Sequence, residues 1–140
     1  MFKKILLAYD GSEGAKKALA LGIDLARLHQ AKLCALAVWE RLPRFSGTIN
    51  EVKEEKEFAE RQYGEILSNA QVQAQEAGLE LETILRLGHP AQMVVQVATE
   101  GQHDLILVGH SGLSGVWAKF LGTTAEKVSR HAPCSVLIVR

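Results

Sequence analysis

The chain carries no excess of charge of either sign. Sixteen basic and sixteen acidic side chains cancel, so no net field draws it to nucleic acid or to an anionic membrane, and no run of Lys or Arg builds a local basic patch. Its two cysteines, Cys34 and Cys134, lie inside or beside apolar runs, which suits free thiols and not a disulfide framework or a metal pair. No apolar stretch approaches the ~20 residues needed to span a bilayer. The opening Met1-Phe2-Lys3-Lys4-Ile5 runs into a short apolar segment without a signal-peptide cleavage pattern. A cytoplasmic protein with neither membrane nor nucleic acid as partner is therefore expected. Repeats, low-complexity tracts and linkers are also missing, and 140 residues leave no room for a second core, so residues 1–140 are read as one domain. His29, His89, His103, His110 and His131 show no metal-ligand spacing. Neither cysteine has a base near it in sequence. No catalytic residue and no metal site made from protein alone are expected.

What is present is a regular alternation of short apolar runs and amphipathic stretches. With 47% hydrophobic and 23% charged residues, the composition is that of a folded globular domain. Ile5-Leu6-Leu7-Ala8-Tyr9 reads as a strand covered on both faces, ended by Asp10-Gly11-Ser12, with Ser12 able to cap the next helix. In that helix Ala15, Ala18, Leu19, Gly22, Leu25 and Ala26 form one stripe. Lys32 to Trp39 is a second buried strand, and Glu40 to Asn50 reads as irregular. A long helix is predicted from about Glu51 to about Ala77, stopped by Gly78; its charged start, Glu51 through Arg61, is expected to be a solvated face. Leu81–Leu87 alternates as a strand nearer a sheet edge, Gly88-His89-Pro90 turns the chain, and Pro90 opens a helix. Asp104 to Val108 is the fourth strand, Thr123 to about His131 the last helix, and Ser135 to Val139 the last strand. Strands alternating with helices imply one doubly wound, Rossmann-like α/β domain with a parallel sheet.

In such sheets ligands bind beyond the carboxyl ends of the strands, where neighbouring connections leave on opposite faces. Two segments suit that place: Tyr9-Asp10-Gly11-Ser12 after the first strand, and Gly109 to Thr124 after the fourth. They face each other if the strand order is 3-2-1-4-5. The second segment combines glycines, which allow close backbone approach, with a helix start that offers unpaired N–H groups to an anion. Neither the P-loop pattern nor Gly-x-Gly-x-x-Gly is present. Instead Gly109 is followed after two residues by Gly112, after nine more by Gly122, and then by Thr123.

This spacing resembles the nucleotide motif of the universal stress protein family, G-2x-G-9x-G-S/T, and the likeness covers the whole chain. It includes the first strand ending in Asp10-Gly11-Ser12, the Gly88-x-Pro90 turn, Asp104 through Gly109, and the ending from Gly122-Thr123-Thr124 to Arg140. The resemblance implies a five-stranded parallel domain that binds ATP with Mg²⁺, AMP or another adenine nucleotide being possible ligands, and that dimerises through its last strand, Val136, Leu137, Ile138 and Val139. Carried over by position, Asp10 would meet the ribose or the metal, the backbone at Val38 the adenine, Gly109 and Gly112 the ribose and phosphates, and Gly122, Thr123 and Thr124 the phosphates. His110 would touch the ligand through its backbone. Leu113 stands where many nucleotide-binding members carry a basic residue, and Lys119 is the basic side chain within the loop.

The chemistry of the residues agrees with this. Amides at a helix start suit an anion, the dipole adding up to ~1 kcal/mol at an exposed end. Thr123 and Thr124 add hydroxyl donors. Asp10 alone would repel a triphosphate, which favours a hydroxyl or a bridging Mg²⁺ as its partner. The expected function is a homodimeric stress-response or signalling protein that uses ATP as a regulatory ligand and acts on an unidentified protein partner. The alternatives are a slow ATPase or a phosphate- or adenylate-transferring enzyme on the same site, and a nucleotide-free interaction module.

Overall fold

A computed structural model describes residues 1–40, 48–110 and 121–140. Nine elements follow one another: β1 (Lys4–Ala8), α1 (Glu13–His29), β2 (Lys32–Trp39), α2 (Ile49–Glu76), β3 (Leu81–Leu87), α3 (Pro90–Glu100), β4 (Leu105–Gly109), α4 (Thr123–His131) and β5 (Ser135–Val139). The strands form one five-stranded sheet in the order β3-β2-β1-β4-β5, every pair parallel. The fold class and strand order expected from the sequence are those observed.

Side chains of a strand alternate between faces, and each face of this sheet has its own apolar layer. Ile5, Leu7 and Tyr9 turn to the side of α1 and α2 and pack with Ala18, Leu19, Ile23, Leu67 and Ala70. Leu6, Leu36 and Ile106 turn to the other side and pack with Val94, Ala98 and Val128. Fully buried Ile5, Leu6, Leu7 and Leu107 explain why β1 and β4 read as continuous apolar runs. Cys34 is buried and Cys134 half-buried, both free thiols; burial pushes the Cys34 thiol up to about 11, with Glu82 adding to the effect.

Local chemistry sets the element ends. Ser12 Oγ accepts from Ala15 N at 3.2 Å and caps α1, as its position predicts. The start of α2 lies two residues ahead of the expected Glu51, because Thr48 and Glu51 form a reciprocal capping box: Glu51 N donates to Thr48 Oγ1 (3.2 Å) and Thr48 N to Glu51 Oε2 (3.3 Å). Asp104, expected as the first residue of β4, instead clamps β1. Its carboxylate accepts from the N–H groups of Lys3 (2.8 Å) and Lys4 (3.0 Å). Burial opposes its charge, yet those bonds and one from its own N–H outweigh that and hold its carboxyl below the usual range. Among the described residues no helix is long and apolar enough to cross a membrane.

Candidate functional site

β1 and β4 are neighbours, with Ile5 opposite Leu105 and Leu7 opposite Leu107. From β1 the chain leaves towards β2 and from β4 towards β5, so a crevice opens between their carboxyl ends. The cavity there has a volume of about 540 Å³, within the range of small-molecule sites. Tyr9, Asp10 and Ser12 line it from the β1–α1 turn, Leu36, Val38 and Glu40 from β2 and its end, and Tyr63 from α2. Pro90 and Val94 of α3, Val108 and Gly109 of β4, and Leu121 to Ala125 at the start of α4 complete the wall.

The turn after β1 is built from three residues. Ser12 N donates to Asp10 Oδ1 at 2.9 Å, a local side-chain bond characteristic of Asp in turns. Gly11 takes φ +78°, the left-handed conformation that favours glycine, and a Cβ there would press on Ile66 Cγ2 of α2 at 3.1 Å. Asp10 therefore holds the turn and lines the cavity at once. Burial first, and the neighbouring Asp10 charge second, push the Tyr9 phenol above its ordinary range.

Among the described residues Val38 offers an unpaired backbone edge. Leu36 O accepts from Tyr9 N (2.8 Å) and Trp39 O from Gly88 N (3.0 Å). Residues of a strand direct their N–H and C=O alternately to the two neighbours. Val38 thus turns both groups towards β1 at a level where β1 has ended at Ala8, and Val38 lines the cavity. A donor and an acceptor side by side match the edge of a heteroaromatic base.

Across the cavity stands the N-terminus of α4. Gly122 is its N-cap and Glu126 N, bonded to Gly122 O at 3.0 Å, makes the first helical turn. The N–H groups of the residues before Glu126 have no intrahelical acceptor, and Thr123 and Thr124 add hydroxyls beside them. Gly109 also lines the cavity, but its missing side chain has a second reason: a Cβ would lie 2.9 Å from the Gly14 carbonyl carbon of α1.

His110 is placed differently. Its N–H donates to Val139 O (2.7 Å) and its C=O accepts from Gly122 N (2.8 Å), while Arg140 Nη2 donates to its ring Nε2 at 3.5 Å. Its backbone ties β4 to β5 and to the start of α4. Gly112, with Leu113 and Lys119, lies outside the described residues. Asp10, Val38, Gly109, Gly122, Thr123 and Thr124 are brought together around one cavity. Among the described residues no group of three or more His, Cys, Asp or Glu forms a metal site.

Sequence reasoning passed over Glu40, Tyr63, Pro90 and Val94. Glu40 directly follows β2, so the strand-end rule that selected Asp10 also selects Glu40. His89 Nδ1 donates to Glu40 Oε1 at 3.1 Å; a carboxylate only accepts, so the proton sits on Nδ1.

The whole chain, residues 1–140, matches the model of the universal stress protein family. A universal stress protein of Thermus aquaticus is 38% identical over 143 residues, covering 100% of both chains. The solved universal stress protein UspA from Lactobacillus plantarum is 27% identical with a TM-score of 0.86, covering 99% of this chain and 98% of its own. A universal stress protein solved in complex with cAMP is 26% identical with a TM-score of 0.77, over 99% of this chain and 97% of its own.

Proposed function

The chain belongs to the universal stress protein family, and we propose that it is a nucleotide-binding member whose crevice takes an adenine nucleotide as a regulatory ligand. The observation that carries this reading is the pairing of two complementary ends in one cavity. At one end the free N–H and C=O of Val38 meet the adenine edge; at the other the α4 N-terminus, with Gly122, Thr123 and Thr124, meets the phosphates. Asp10 lies between them in the β1–α1 turn and accepts from a ribose hydroxyl or holds a cation. The cAMP complex of a relative 26% identical supports an adenine nucleotide as the ligand class.

ATP with Mg²⁺ is the ligand we favour, and AMP satisfies the same contacts. Asp10 and Glu40 place two carboxylates on the cavity wall, which opposes a polyphosphate in a poorly solvated site. Mg²⁺ is commonly bound through one or two carboxylates together with substrate phosphates, and Asp10 suits that share. The bound cation would offset the charge of the phosphates. We place the protein in the cytoplasm, as a homodimer joined through β5, transmitting nucleotide occupancy to a protein partner in a stress response.

The test is nucleotide analysis of the purified, denatured chain, followed by calorimetry with ATP and AMP, each with and without Mg²⁺. Adenine nucleotide should co-purify or bind, and Mg²⁺ should strengthen ATP more than AMP. If neither nucleotide co-purifies nor binds at millimolar concentration, the reading fails.

A further inference from the structure

Glu40 and His89 form a pair at the rim of the crevice that the contacts so far described leave unused. Glu40 follows β2 two residues after Val38 and lines the same cavity as Val38 and Pro90. His89 is the N-cap of α3, immediately before Pro90, and its side chain makes no capping bond. Its Nδ1 instead donates to Glu40 Oε1 at 3.1 Å. The strand end that carries Val38 and the helix start that carries Pro90 are thereby linked across the mouth of the cavity. A carboxylate accepts at two oxygens, and His89 occupies one of them.

We propose that Glu40, oriented by His89, reads the six-position of the purine and makes the crevice select a 6-amino base over a 6-oxo base. This rests on the reading that Val38 meets the base edge. The Val38 C=O accepts one hydrogen of the exocyclic amino group, and the Glu40 carboxylate accepts the other. A 6-oxo purine presents a carbonyl oxygen at that place, and a carboxylate cannot donate to it. Two acceptors then face each other, which discriminates by repulsion as well as by a lost bond.

Half of the Glu40 side chain and most of the His89 ring are exposed, at 50% and 73%. Water competes there, so the pair contributes as a solvated hydrogen bond and not as a buried ion pair. Loss of the carboxylate should change base preference by about 3- to 10-fold. His89 is a positioning residue in this scheme, acting only through Glu40.

The experiment compares AMP with IMP, and AMP with N6-methyl-AMP, by calorimetry on the full chain. The wild type should prefer AMP to IMP and should bind N6-methyl-AMP more weakly than AMP, because both amino hydrogens are used. In Glu40→Gln, whose amide can donate, the AMP-to-IMP ratio should fall about 3- to 10-fold. His89→Ala should lower the ratio in the same direction, and His89→Asn, which restores a donor, should recover it. An unchanged ratio in Glu40→Gln overturns the assignment, and so does full-strength binding of N6-methyl-AMP to the wild type. Wild-type protein that binds none of the three nucleotides overturns the adenine reading and this assignment together, whereas binding with an unchanged ratio defeats the Glu40 role alone.

Discussion

Gly109, the last residue of β4, packs directly on Gly14 in the first turn of α1: a Cβ added to Gly109 would stand 2.9 Å from the Gly14 carbonyl carbon and 3.0 Å from its oxygen. These are backbone atoms of a capped helix start, so they cannot rotate aside as a side chain would. The contact brings α1 against β4 at the floor of the crevice. Gly109→Ala should therefore destabilise the fold by about 1–3 kcal/mol through overpacking, apart from any effect on a ligand. Urea denaturation checks it; a midpoint equal to that of the wild type would remove the packing role and leave Gly109 with a ligand role alone.

Gly122 provides the contrast. Its φ of −62° and ψ of 153° are open to any residue, and it lines the cavity as the N-cap of α4. Gly122→Val should cost about 1 kcal/mol or less, the loss of a tolerated N-cap glycine. The added side chain stands at the anion end, so AMP affinity should fall at least about tenfold while adenosine, which lacks phosphate, changes far less. Equal losses for AMP and adenosine would show that the helix start does not hold the phosphate.

The two glycines mark how far the sequence could be read. The spacing Gly109, Gly112, Gly122 pointed to the end of β4, where the cavity opens, and alternating apolar runs and stripes were enough for a parallel sheet covered on both faces; the order β3-β2-β1-β4-β5 followed from the fold type and not from the runs themselves. That Gly109 serves helix packing was not legible, since it depends on Gly14, a residue ninety-five positions away (109 less 14) that meets it only once β1 and β4 are paired. The capping box of Thr48 and Glu51 was legible, as Thr-x-x-Glu, and its omission shifted α2 by two residues. Tyr63 sits on α2 with the inward-turned Ala59, Leu67 and Ala70; such a stripe reports which residues turn inward, and not which of them reach past the sheet to a cavity.

His103 and Asp104, side by side before β4, should make the fold sensitive to acid in two steps. His103 lies partly buried, with Nδ1 lacking a hydrogen-bond partner among the described residues. Burial, then the nearby Lys4 charge, lowers its pKa in the folded state. The unfolded chain takes up that proton first, so stability should fall as pH drops below about 6.5. Asp104 is held below the usual range by its backbone bonds, against the opposing effect of burial. Its contribution is present above the ordinary carboxylate value of about 3.9 and is lost as pH falls from there through the folded value. Urea midpoints taken from pH 7 downwards should show both steps, with His103→Asn flattening the upper one and Asp104→Asn the lower. Unaltered pH profiles in both variants would assign the acid sensitivity elsewhere.

The last strand makes a claim about assembly. Among the described residues β5 has β4 as its one neighbour in the sheet, and Leu137 in its centre is 38% exposed. An apolar strand at an open edge offers unpaired N–H and C=O groups to any similar strand, which folded chains ordinarily prevent by charge, proline or covering. Val136, Leu137, Ile138 and Val139 carry neither charge nor proline, which favours covering, and the homodimer proposed above would supply it with a second β5. Full burial of a leucine is worth about 1.5–3 kcal/mol, and in a symmetric pair each Leu137 → Lys exchange acts twice. The wild type should therefore sediment as a dimer and Leu137→Lys as a monomer. Because the residues that line the crevice lie outside β5, the monomeric variant should still bind nucleotide with affinity near that of the wild type. A wild-type chain that sediments as a monomer throughout would defeat edge pairing; a monomeric variant that loses nucleotide would instead mean that the second copy completes the crevice.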